Sequence, residues 1–288
     1  MAMTLIEGKF KVIKAAPDGD SIRFYPNNPN LWEKLPTRVS TNRAGGVQLR
    51  LDSVDTLETH YNPKGDSIST QHQPLEFAHG AASELLKFLG FKKITRNDNE
   101  VVTASQPEEV PGFILTRFAD VYGRSVAFAF KGNADVEDGS DVYFDKPLLK
   151  KSANYHMLAK GLAYPTFYSK LYPDIRQELA TVADKARKEN KGLWPLDKTN
   201  EGFILEELET ITDNVVILPK LYRRLLSYLA INDGSVSLDG FLAYLKSTKD
   251  RLIILPEGHV TGFDYVVKVD GQNILLTTQP EDLVFLEK

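Results

Sequence analysis

A β-barrel with helices, of α+β type, followed by a small α+β domain is the fold class that the sequence predicts, and three observations carry that expectation. Strand-like runs fill the first third of the chain, helical runs come after them, and the charge balance changes sign near residue 200. The 288 residues also exceed the roughly 100 to 200 of a usual domain, so two are expected. Residues 1–200 carry 27 Lys and Arg against 25 Asp and Glu, whereas residues 201–288 carry 8 against 14. The net charge of -4 therefore belongs to the tail, and the segment PLDKTNEG places the boundary. We expect a domain over residues 1–198 and an accessory domain over residues 199–288.

FKVIKAA (10–16) and SIRFY (21–25) flank the turn-forming PDGD, and VQLRLDSV (47–54) alternates. Val47, Leu49 and Leu51 take one face of that strand, so Arg50 takes the other. A polar connection, residues 26–45, separates the second and third strands and is too long for a plain hairpin. LEFAHGAASELLKFLG reads as a helix that stops at Gly90. Strands follow in VVTAS (101–105), FILTRF (113–118) and RSVAFAF (124–130), then a helix around residues 152–160 and another from Asp174 to Asn190. Strands first, a helix before the last strands and two helices afterwards suit a five-stranded OB barrel. In the tail, LYRRLLSYL and FLAYL read as helices, and RLIILP, YVVKV and NILLTT as strands, with VDGQN as a hairpin turn.

Composition narrows the chemistry. With 42% apolar and 26% charged residues the chain is that of a globular protein, and its lack of cysteine removes disulfides, thiolate metal sites and cysteine nucleophiles together. MAMTLIEGKFKVIK has no apolar core of a signal peptide, and no run approaches a membrane span, so no membrane association is expected and localisation is left open. INDGSVSLDGF imitates half of a calcium loop, but Leu229, Ile231 and Gly240 would fall at its first, third and twelfth positions, so calcium is rejected there. The five histidines show no metal-ligand spacing.

The charged motifs point elsewhere. DGDSI (18–22), RLDSVDTLE (50–58) and YGR (122–124) hold four aspartates, a glutamate and two arginines. Singly they are a turn, a sheet-end ion pair and an exposed arginine. Together they are the residue types that phosphodiester cleavage needs: carboxylates for a hard cation, a carboxylate base, and guanidinium groups for phosphate oxygens. On these motifs, with the trailing ENKGLW (189–194), the chain resembles the staphylococcal nuclease family over roughly residues 8–194.

The resemblance implies a calcium-dependent nuclease of OB fold that hydrolyses DNA and RNA to 3'-phosphate products. Asp20 and Asp55, with the carbonyl of Thr56, correspond to calcium ligands, Glu58 to the proposed general base, and Arg50 and Arg124 to the phosphate-gripping pair. Single-stranded or unpaired nucleic acid is the expected substrate. Leu57 stands where the family usually has proline, and residues 26–45 and 59–74 are longer than in the minimal member. The family's base-stacking tyrosines have no clean counterparts; Phe167 and Tyr168, with Tyr164 and Tyr172, are either substitutes, as a substrate-binding platform, or core filler. The alternative function is a non-catalytic nucleic-acid-binding or scaffold module on the same fold. The tail is expected to dock an unknown partner or limit access, and residues 1–200 are expected to fold and cleave without it.

Overall fold

Five strands close on themselves in the computed structural model, which describes residues 2–287. They are β1 (Ala2–Lys11), β2 (Ser21–Pro26), β3 (Val47–Leu51), β4 (Glu109–Ala119) and β5 (Ser125–Lys131). Their order is β2-β3-β5-β4-β1, and pairing of β1 back onto β2 closes the barrel. Only β3 and β5 run parallel; the other ladders are antiparallel. This is the connectivity of an OB barrel, as expected. β3 alternates as its sequence does, with Val47, Leu49 and Leu51 buried and Gln48 and Arg50 partly exposed.

The first strand is longer than its local pattern suggested. It begins at Ala2 rather than Phe10, because Thr4 to Lys11 form one continuous ladder with Glu109 to Thr116. Only that partner reveals MTLIEGK as strand.

The described residues group into two compact units. The first holds Met1–Val54, Ala81–Met157 and Tyr172–Glu178, and therefore the whole barrel. The second holds Asp55–Gly80, Leu158–Leu171 and Leu179–Lys288. Helices α1 (Leu75–Leu89), α2 (Ala153–Ala159) and α3 (Pro173–Lys188) each give residues to both.

The second unit has one apolar core. Leu57, Ile68, Ala78, Tyr164 and Trp194 pack in it with Leu221, Tyr222, Leu225, Leu226 and Leu229 from α4 (Pro219–Ile231) and with Leu218 just ahead of it. Phe241 and Leu245 of α5 (Phe241–Thr248) join them. The expected boundary at residue 198 falls inside this unit, and the core draws side chains from both sides of it.

The rest of the tail follows its patterns. β6 (Arg251–Ile254) pairs with β7 (His259–Gly262), and β8 (Val267–Asp270) with β9 (Asn273–Leu276) across the Gly271–Gln272 turn. β10 (Leu283–Phe285) lies beside β6 and pairs in parallel with the two-residue strand Phe167–Tyr168. The closing tryptophan is held within the same unit: Trp194 meets Tyr164 edge-on, and Arg187 lies over the indole while forking onto Glu281. Among the described residues no helix is long and apolar enough to cross a membrane.

Candidate functional site

The motif residues divide between the two units, and each unit holds an ordered group. In the first, Arg50 leaves β3 on its half-exposed face and pairs with Asp20, which is buried at the start of β2. Arg124 stands at the entry of β5. The register Leu49↔Ser125 and Arg50↔Val126 places Arg124 and Arg50 on the same face of adjacent parallel strands.

The turn before Arg124 is built to aim it. The Asp120 carboxylate accepts from the backbone N–H of Tyr122 at 3.0 Å and of Arg124 at 2.9 Å, and from Arg124 Nε at 2.7 Å. Gly123 has φ +76, and a Cβ there would meet Ser40 Oγ at 2.1 Å. No other residue fits that turn without displacing the 26–45 connection, whose Ser40 N–H donates to the Gly123 carbonyl at 2.9 Å. Tyr122 is 76% exposed and lies beneath the Arg124 guanidinium, 5.5 Å from ring centroid to Cζ.

In the second unit, Asp55, Thr56 and Glu58 follow one another along an extended segment. Glu58 is fixed through its backbone: its N–H donates to Gln73 Oε1 at 3.3 Å and its carbonyl accepts from Gln73 N–H at 2.9 Å. Gln73 is fully buried, and its Nε2 donates to the Ile217 carbonyl at 2.8 Å. Leu57, at the position where proline is usual, is anchored by burial in the core instead of by a ring. The longer 59–74 segment is tied down as well. Tyr61 and Gln71 pair across its base, and Tyr222 Oη donates to the His72 carbonyl at 2.7 Å.

One residue dominates this second group, and no motif announced it. Arg223, from α4, donates through Nη1 and Nη2 to the two carboxylate oxygens of Asp55, at 3.2 and 2.8 Å, and through Nη1 to Glu58 as well. Asp55 is fully buried. Burial opposes the charge on Arg223, but the Asp55 and Glu58 carboxylates outweigh it and hold its pKa well above the ordinary value.

The calcium implied by the resemblance can be tested against this donor set. A calcium ion needs carboxylate oxygens at about 2.3 to 2.6 Å, with their lone pairs turned to it. Both Asp55 oxygens are turned to a guanidinium, and Glu58 accepts from the same group. Among the described residues no three His, Cys, Asp or Glu side chains are arranged to hold a metal ion. As arranged, the residues do not fit calcium.

The base-stacking expectation also changes. Phe167 is fully buried, and Tyr168 packs against Phe285 at 5.9 Å, so this pair is an edge of the tail sheet. Phe167, with no exposure, gives a base nothing to stack on, whereas Tyr168 is partly buried. Two exposed rings lie beside arginines: Tyr122, the first letter of YGR, against Arg124, and Tyr172 against Arg117 at 5.3 Å.

Fold and site together define a class: an OB barrel carrying paired arginines at the ends of its β3 and β5 strands, with acidic residues in the same motif. The profile of the staphylococcal nuclease homologue family matches residues 48–195, just over half of the chain, and the chain belongs to that family. The matched span contains Arg50, Asp55, Thr56, Glu58 and Arg124, while Asp20 lies ahead of it. No curated protein matches the chain.

Proposed function

We propose that the protein is a nuclease, hydrolysing phosphodiester bonds of single-stranded or unpaired nucleic acid. The observation that carries this reading is the arginine pair: Arg50 and Arg124 share one face of adjacent strands, each oriented by its own aspartate. Strand spacing and rise put their Cα atoms roughly 8 Å apart, a separation from which two guanidinium groups converge on one phosphate.

Glu58 accepts a proton from the attacking water as the water oxygen bonds to phosphorus. The bond from phosphorus to the 5'-oxygen breaks, the departing oxygen takes a proton from solvent, and the products carry a 3'-phosphate and a 5'-hydroxyl. Arg50 and Arg124 stabilise the charge gathering on the phosphoryl oxygens. Both act as electrostatic partners, since an arginine is a poor proton donor. Tyr122 offers the neighbouring base an open ring. The calcium that the resemblance implies has no part in these steps, because Asp55 is committed to Arg223 through both of its carboxylate oxygens.

That same commitment favours a second reading, a nucleic-acid-binding module without turnover. The two part on one assay: release of 3'-phosphate ends from labelled single strands, in calcium and in chelator, alongside a binding measurement. Cleavage that falls a hundredfold or more in folded Glu58→Gln supports the nuclease. Tight binding with no cleavage in either buffer supports the module.

A further inference from the structure

We propose that Arg223 is the resident cation of the Asp55 and Glu58 carboxylates and excludes a divalent metal from them. The inference rests on the reading that these are the acidic residues of the nuclease motif, but it does not depend on turnover. A chain of this family would then carry, in its own tail, the positive charge that the resemblance assigns to calcium.

Three observations lead there. First, the fork is complete: two guanidinium nitrogens face the two oxygens of Asp55, and one of them also serves Glu58. A metal bonded to either Asp55 oxygen would displace a charged hydrogen bond and would stand against a like charge. The two cations are therefore alternatives.

Second, Arg223 is not a side chain on a movable strap. Its helix is fixed to the motif segment from both sides. Tyr222, its neighbour, donates to the His72 carbonyl, and Ser227 Oγ lies 3.2 Å from both the Tyr61 hydroxyl and the Lys64 N–H. Gly65 approaches the helix so closely that a Cβ would come within 2.7 Å of the Ala230 carbonyl oxygen. Leu221, Leu225, Leu226 and Leu229 are fully buried in the core shared with Leu57 and Ile68. Freeing Asp55 by undocking the helix would return four leucines to water.

Third, a swing of the side chain alone is opposed by its partner. Asp55 has no exposure, so an ion would have to replace the guanidinium as it leaves. Calcium sites of moderate affinity do not supply such exchange when the competitor is tethered and always present.

The test measures metal, not cleavage. Calcium titration by calorimetry and terbium luminescence would be run on the full chain, on Arg223→Met and Arg223→Gln, and on each with Asp55→Asn added. We expect no saturable binding by the parent chain at millimolar calcium, and at least a tenfold gain in affinity in the Arg223 variants that Asp55→Asn abolishes. Saturable binding by the parent that Asp55→Asn removes overturns the proposal, as does a folded Arg223 variant with no gain. Should a variant fail to fold, calcium that restores its circular dichroism supports the exchange of one cation for another, and calcium without effect on it overturns the proposal. Because no readout is turnover, an inactive protein can still pass.

Discussion

The two halves of the acidic and basic motif solve the same electrostatic problem in different ways. In the first unit the arginines pair with aspartates nearby in the fold: Arg124 with Asp120 four residues earlier, and Arg50 with Asp20 across one ladder. Arg124 and Asp120 remain partly open to solvent, with 35% and 19% of their side chains exposed, and can exchange partners with a phosphate, whereas Arg50 and Asp20 are more enclosed. In the second unit Asp55 is fully buried and its arginine comes from 168 residues later. Exposure separates the Arg124–Asp120 pair from the carboxylate of Asp55. A partly solvated pair such as Arg124–Asp120 costs little to open, whereas opening the pair at Asp55 leaves an uncompensated buried charge.

The sharpest way to break that contrast is to remove residues 201–288. The pattern of the first 200 residues suggests independence, but truncation strips α4 from Leu57, Ile68, Tyr164 and Trp194. We expect loss of cooperative thermal unfolding and of solubility; a soluble, two-state fragment would show that the second unit's core is dispensable. A smaller cut is Arg223→Ala, expected to destabilise by about 3 to 5 kcal/mol in denaturant titration because Asp55 is left charged and buried. Pairing Arg223→Met with Asp55→Asn should recover most of the loss, which a double-mutant cycle measures.

Arg124→Ala should behave oppositely. Stability is expected to stay within about 1 kcal/mol of the parent, since the pair with Asp120 is partly solvated. Cleavage should nevertheless fall by roughly a hundredfold to a thousandfold in single turnover, the scale of losing one stabilising donor. If stability and rate fall together, the first unit's arginines are structural as well.

The smallest effect concerns Asp52, two residues past Arg50 and buried in the first unit. Burial pushes its carboxyl up to about 6 against the weaker opposing pulls of Ser53, Arg117 and Arg50. The folded chain keeps that proton to higher pH than the unfolded chain, so stability falls as pH rises from about 4 to about 6 and is level above. Two pKa units correspond to about 3 kcal/mol at most. Asp52→Asn should therefore raise the melting temperature at pH 7 and flatten the slope below it; an unchanged slope would assign the acid dependence to other carboxyls.

The barrel and half of the site could be read in the sequence because their signals are local. Alternation over VQLRL sets the outward face of Arg50, and glycine in YGR sets the turn that aims Arg124. Helix stripes and the VDGQN hairpin are equally short-range, and the structure reproduces them. The missing elements lacked such signals. The start of β1 depends on a ladder with residues a hundred positions away. Phe167 and Tyr168 look the same whether they meet a base or β10.

Sequence by itself thus determined which residue types gather in the motif, the strands that carry Arg50 and Arg124, and the helices of the tail. Tertiary structure alone decided what Asp55 and Glu58 touch. Arg223 sits in a run, YRRLL, whose two arginines are indistinguishable by spacing; Arg224 pairs with Asp250, and Arg223 with the motif. Which of them meets the site follows from the rotation of α4 as its leucines bury against Leu57 and Ile68. That rotation is fixed by packing across distant segments, and packing of that kind leaves no periodic mark in the chain.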